Sequence, residues 1–178
     1  ITDLIPRKQG LKELRRFIPQ KNISWIGSGR AALSHILKNI NCQNIGLPSF
    51  TCEVVLDSIK RAKKEPIFID SGAIADYNNI KENTSKIDTL ILPYNFGFLP
   101  DIEKIQKLCK KNNITLIEDC AQAVGAKYKE NLAGTLGKYS FYSFGISKNI
   151  GFIGGMIASQ KPIEKPNLPK YPKIKILK

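Results

Sequence analysis

A single lysine, Lys148, stands in the stretch YSFGISKNIGFIGGMIAS (Tyr142–Ser159), between a strand-like run and a glycine pair. Hiding an ammonium at a half-buried corner of a fold costs free energy unless the charge is used or removed. A neutral lysine amine is a nucleophile for carbonyl carbon. Ser143, upstream on the same segment, adds a hydroxyl suited to a phosphate. A second stretch, IEDCAQAVGA, puts Asp119 at the end of an apolar run with Gln122 just beyond it. Such an aspartate can cap a helix, or it can hold a protonated heteroaromatic nitrogen while the glutamine amide donates to a neighbouring ring oxygen. A third, GSGRAAL (Gly27–Leu33), places small residues directly before a helical pattern. Amides exposed at a helix start bind anions, although a Gly-Ser turn entering a helix is ordinarily only a turn and a cap.

Each feature alone is as well explained by polar side chains facing solvent or by a helix cap. Together they fit one ligand, a phosphorylated aldehyde on a pyridine ring, which is pyridoxal 5'-phosphate. That cofactor needs a lysine for the Schiff base and an acid opposite the pyridinium nitrogen. Only a primary amine forms the imine, and the acid keeps the ring protonated so that it can accept carbanion electrons.

The elements that must position these residues alternate in type. GRAALSHILKNI (Gly29–Ile40) has helical spacing of apolar residues, and NIGLPSF supplies a short strand ending at Pro48. EVVLDSIKRAKK reads as a second amphipathic helix and PIFID (Pro66–Asp70) as a strand. TLILPYN (Thr89–Asn95) and ITLIED (Ile114–Asp119) read as buried strands flanking a helix over Asp101–Asn113, with Asp101 as its N-cap and lysines at its end. Alternation with nearly continuous apolar strands predicts an α/β fold, a mostly parallel sheet with helices on both faces. Ligands in such sheets bind beyond the carboxyl ends of the strands, so Pro48–Thr51, Asp70, Pro93–Asn95 and Glu118–Gln122 are expected near the site.

The chain of 178 residues has 42% hydrophobic content and a formal net charge of +13. Its length suits one domain with a core, and no apolar run approaches the ~20 residues that cross a bilayer. The start, ITDLIPRKQGLKELRRF, lacks the apolar block of a signal peptide, so a cytoplasmic protein without membrane contact is expected. Cys42, Cys52, Cys109 and Cys120 form no CxxC pair and His35 is the sole histidine, so neither a metal site nor disulfides are expected. Basic residues gather at the two ends without an aromatic-and-basic strand pattern or a helix-turn-helix, which argues against nucleic acid. An anionic small molecule or an acidic partner suits the same field.

GSGRAAL, LPSFTCEVVLDSI, PIFID and IEDCAQAVGAKYKENLAGTLGKYSFYSFGISKNIGFIGGMIAS resemble, in order and spacing, the DegT/StrS-type sugar aminotransferases, which are fold-type-I pyridoxal-phosphate enzymes. The resemblance covers roughly Trp25 to Ser159, and Glu118–Gly155 is its specific part. It implies that Lys148 forms the Schiff base and shuttles a proton, that Asp119 pairs with the pyridine nitrogen, and that Gln122 contacts the ring-oxygen side. Ser143 and the segment Ser28, Gly29, Arg30 and Ala31 would hold the phosphate, and Cys52 stands where some relatives stack an aromatic residue on the ring. Two positions depart from the pattern: Arg30 replaces a common threonine, and Cys52 covers less of the ring face. The resemblance further implies transfer of an amino group from glutamate to a nucleotide-linked keto-sugar for polysaccharides or glycosides, in a dimer with sites between subunits.

Relatives are about twice as long. The expected organisation is therefore a basic N-terminal helix or arm (1–24), a pyridoxal-phosphate-binding α/β domain incomplete relative to the family (25–159), and a Lys/Pro-rich tail (160–178). A truncated, catalytically silent homologue acting as a binding or regulatory partner, or one half of a split enzyme completed by another chain, is the alternative expectation.

Overall fold

The computed structural model describes residues 14–145 and 154–166. Short apolar runs form strands and the amphipathic runs between them form helices, in the order β1 (Asn22–Ile26), α1 (Gly29–Asn39), β2 (Asn44–Pro48), α2 (Glu53–Arg61), β3 (Glu65–Ile69), α3 (Tyr77–Glu82), β4 (Thr89–Pro93), α4 (Ile102–Lys111) and β5 (Thr115–Asp119). A two-stranded ribbon, β6 (Lys127–Tyr128) and β7 (Asn131–Leu132), precedes β8 (Tyr139–Ser143) and β9 (Gly155–Ser159). The main sheet has the order β1-β9-β8-β5-β4-β2-β3. Strands β3, β2, β4, β5 and β8 run parallel, and β9 is antiparallel to both β8 and β1. The expected mostly parallel sheet is present, with one antiparallel flank.

Side-chain alternation assigns each strand residue to a layer. Ile91, Ile117, Phe141 and Ile157 face the layer built by Leu33, Ile36 and Leu37 of α1 with Val55 and Ile59 of α2. Leu90, Leu92, Leu116, Tyr142, Met156 and Ala158 face the opposite layer, where Ile80 of α3 and Ile102, Ile105 and Leu108 of α4 pack. Both faces of the sheet are therefore covered, which explains why its central strands read as continuous apolar runs. Helix starts follow local chemistry: Ser28 Oγ accepts from Ala31 N–H, and Asp101 Oδ1 accepts from Lys104 N–H.

The structure moves two boundaries. Strand β1 begins at Asn22, inside the segment expected to be an arm, and its residues are all half-buried because they pair with β9 at the sheet's edge. Beyond β9, Ile163 packs against the α1 layer and His35 Nε2 hydrogen-bonds Glu164 O at 2.7 Å, so the first part of the expected tail lies along α1. Among the described residues no helix is long and apolar enough to cross a membrane.

Candidate functional site at the carboxyl ends of the strands

The parallel strands reverse their order between β2 and β4, since β2 leads outward to β3 while β4, β5 and β8 extend the other way. Such a reversal opens a crevice at the carboxyl ends. A cleft of about 130 Å³ lies there, lined by Gly29 and Arg30 at the start of α1, Cys52, Pro93–Asn95 after β4, Asp119 with Ala121 and Gln122 after β5, and Ser143 ending β8. Six of the expected site residues, Gly29, Arg30, Cys52, Asp119, Gln122 and Ser143, thus meet in one place.

Close backbone approach builds one end of this cleft. A Cβ on Gly29 would lie 2.8 Å from Ser143 Cβ, so the helix start and the Ser143 hydroxyl are pressed together. A Cβ on Gly155 would lie 2.3 Å from the Ser28 carbonyl carbon, so only glycine lets β9 pass the turn that enters α1. Ser28 and Ala31 are engaged with each other at the helix start. The Ser28 hydroxyl caps the Ala31 amide at 3.1 Å, and neither residue is among those lining the cavity. Gly29 and Arg30, in the first helical turn, present amides that have no partner within the helix.

The other end is polar and tethered. Asp119 Oδ1 accepts from Ala121 N–H at 2.9 Å, which fixes the carboxylate at the end of β5. Gln122 Oε1 accepts from Phe96 N–H at 3.3 Å, so the acceptor end of the amide is defined and its NH2 end carries the donors. Phe96 adopts a left-handed backbone (φ 56°, ψ 18°), an uncommon conformation that turns its N–H toward Gln122. Asn95, a residue that sequence reasoning placed nearby without a role, is buried and donates through Nδ2 to Phe50 O and Ala73 O, both at 3.0 Å. It ties the loops after β2, β3 and β4 together. Cys52 occupies the N-cap position of α2 without capping it, which leaves its thiol exposed at the cleft. The other three cysteines are buried, and burial pushes the Cys109 thiol up to about 12.

Pro48–Thr51, Asp70, Glu118 and Cys120, all expected nearby, are not among the residues that line the cleft. Asp70 follows the edge strand β3, outside the residues that line the cleft. Glu118 faces the layer opposite Ile117, where Oε2 accepts from Tyr94 Oη at 2.6 Å and from Gly134 N–H at 2.7 Å. Its Oε1 accepts from Leu136 N–H at 2.8 Å and from Gly137 N–H. Burial raises its pKa while these donors oppose the rise. Lys148 lies outside the described residues. Of the described residues on either side of it, Ser143 pairs with Gly155, and Phe144 N–H donates to Gly154 O at 3.0 Å.

The donor set fits a phosphorylated pyridine. Backbone amides and the Ser143 hydroxyl gather at the Gly29–Ser143 end, Arg30 lines the cleft beside them, and Asp119 is the only acid among the described lining residues. This mostly parallel α/β sheet has the fold of solved sugar-aminotransferase structures. The chain belongs to the DegT/DnrJ/EryC1/StrS aminotransferase family, whose model matches residues 11–169. The GDP-perosamine synthase of Escherichia coli O157:H7 is 29% identical over 157 residues, covering 81% of this chain and 43% of that protein. The Helicobacter pylori aminotransferase PseC, involved in the biosynthesis of pseudoaminic acid, superposes with a TM-score of 0.79 at 20% identity, over 88% of this chain and 45% of its own. An E. coli GDP-4-keto-6-deoxy-D-mannose-3-dehydratase with bound hydrated pyridoxal phosphate superposes with a TM-score of 0.76 at 19% identity, over 84% and 42%. The chain thus spans less than half the length of these relatives.

Proposed function

We propose that the chain forms the cofactor-binding part of a pyridoxal-phosphate aminotransferase acting on a nucleotide-linked keto-sugar, with glutamate as amino donor. One observation carries the reading: a single cleft holds Asp119, Gln122, Ser143 and the start of α1. When bound, the cofactor supplies an aldehyde that condenses with amines and a protonated ring that takes up the electron pair left by a departing proton. Asp119, held by the Ala121 amide, keeps the proton on the ring nitrogen, and the Gln122 NH2 group donates to the ring-oxygen side. The Gly29 and Arg30 amides and the Ser143 hydroxyl bind the phosphate and fix the ring's register. Lys148 Nζ supplies the primary amine and then carries a proton to and from the substrate carbon. A nucleotide-linked sugar accords with the GDP-perosamine synthase relative. Exposed Phe50, Phe96 and Phe98 support association with a second copy or a complementing chain.

The test is a visible spectrum of the chain mixed with pyridoxal phosphate, followed by borohydride reduction and peptide mapping. The expected result is a reduced adduct on Lys148 that disappears in Lys148→Ala while the far-UV spectrum is kept. Label spread over surface lysines would refute the reading for this chain and favour a silent binding homologue.

A further inference from the structure

Helices α1 and α2 are locked together beside the cleft. Ser58, fully buried on α2, donates to Val54 O at 2.8 Å and contacts Arg30 O at 3.5 Å. That contact brings Arg30, which lines the cleft, next to Asp57 on α2. The resulting ion pairs are unequal. Arg61 Nε donates to Asp57 Oδ2 at 2.8 Å, one helical turn away on the same helix, whereas Arg30 Nε stands 3.8 Å from that same oxygen. One carboxylate is shared by two guanidiniums, and its good hydrogen bond goes to Arg61. Arg30 is left loosely held, and the trio carries a net positive charge, with Arg30 its one member that lines the cleft.

We propose that Asp57 and Arg61 are positioning residues that set the strength with which Arg30 grips the cofactor's phosphate, a proposal that rests on the cofactor reading above. Asp57 keeps Arg30 in place beside the helix start while the cleft is empty. Arg61 neutralises Asp57, so Arg30 can turn to a phosphate without leaving an unpaired carboxylate behind. The guanidinium's planar array of donors suits a phosphate, which a threonine hydroxyl would contact through one oxygen only. The phosphate grip of this chain is thereby a balance among three side chains on two helices. Removing the carboxylate should tighten it, and removing Arg61 should loosen it.

The experiment compares pyridoxine 5'-phosphate with pyridoxine by calorimetric titration. Neither has an aldehyde, so neither can attach to Lys148, and the ratio of their affinities reports the phosphate alone. Asp57→Asn is expected to raise that ratio by roughly two- to fivefold at low salt, the range of exposed ion pairs. Arg61→Ala should lower it by a similar factor, because Asp57 then holds Arg30 alone. In an Arg30→Ala background both changes should become silent, and pyridoxine affinity should stay constant throughout. A ratio that Asp57→Asn leaves unchanged or lowers would overturn the proposal while leaving the cofactor reading intact. Binding of neither compound would overturn both.

Discussion

Replacing Glu118 by glutamine tests whether a buried carboxylate organises the wall behind the cleft. The side chain is fully buried and four donors point at it, two on each oxygen. A glutamine of the same size can keep its carbonyl toward Leu136 and Gly137, which places its NH2 group against Tyr94 Oη and the Gly134 amide. The tyrosine hydroxyl can rotate and accept. The Gly134 N–H cannot, and it becomes a buried donor facing a donor, a defect worth about 1–3 kcal/mol. The opposite amide orientation sets two backbone donors against NH2 and is worse. Loss of charge assistance in the remaining bonds adds to the cost, while relief from burying a charge subtracts from it. A net destabilisation of about 2–3 kcal/mol is expected. The assay is urea unfolding followed by the fluorescence of Trp25, the sole tryptophan. A double-mutant cycle with Tyr94→Phe sharpens it, because burial and the neighbouring Glu118 keep the Tyr94 phenol protonated as a donor. The hydroxyl's contribution should shrink markedly once Glu118 is neutral. A Glu118→Gln variant as stable as the parent would refute the reasoning.

Gly155→Ala drives a methyl into the Ser28 carbonyl and should cost about 1–3 kcal/mol, as other overpacking does; an unchanged unfolding midpoint would contradict the close approach. Asp101 is held at about 2, below its ordinary 3.8, by Lys104 first and by the Tyr128 hydroxyl. Its folded pKa is depressed, so its contribution is present above about pH 4 and lost as pH falls toward 2. Asp101→Asn should accordingly flatten stability over that acid window, and an unaltered pH profile would count against the linkage. Iodoacetamide should label Cys52 alone in the native protein, and pyridoxine 5'-phosphate should slow that labelling; prompt reaction of Cys109 or Cys120 would contradict their burial.

Much of the fold was legible because local signals and burial agreed. The Asp101 cap, the helical spacing after Gly29 and the apolar run ending at Asp119 all mark elements within a residue or two of their observed bounds. Strand β1 was not legible. Its residues are all half-buried, and it is a strand only because β9 returns to pair with it. The glycine pair after Lys148 was visible as a pattern, but its reason, the passage of Gly155 over Ser28, depends on an approach between segments far apart in the chain.

The sequence by itself determined the candidate chemistry, since residue type decides what a group can do. A lysine can form an imine, a carboxylate can hold a ring proton, and amides at a helix start can bind phosphate. Tertiary structure alone decided which of these groups share a cleft. It separated adjacent Glu118 and Asp119 into a structural carboxylate and a cleft carboxylate. It also joined Arg30 to Asp57 and Arg61 across two helices. The physical reason is pairing register and helix packing: successive strand residues point to opposite layers, and groups distant in the chain meet only where the sheet and its helices bring them together.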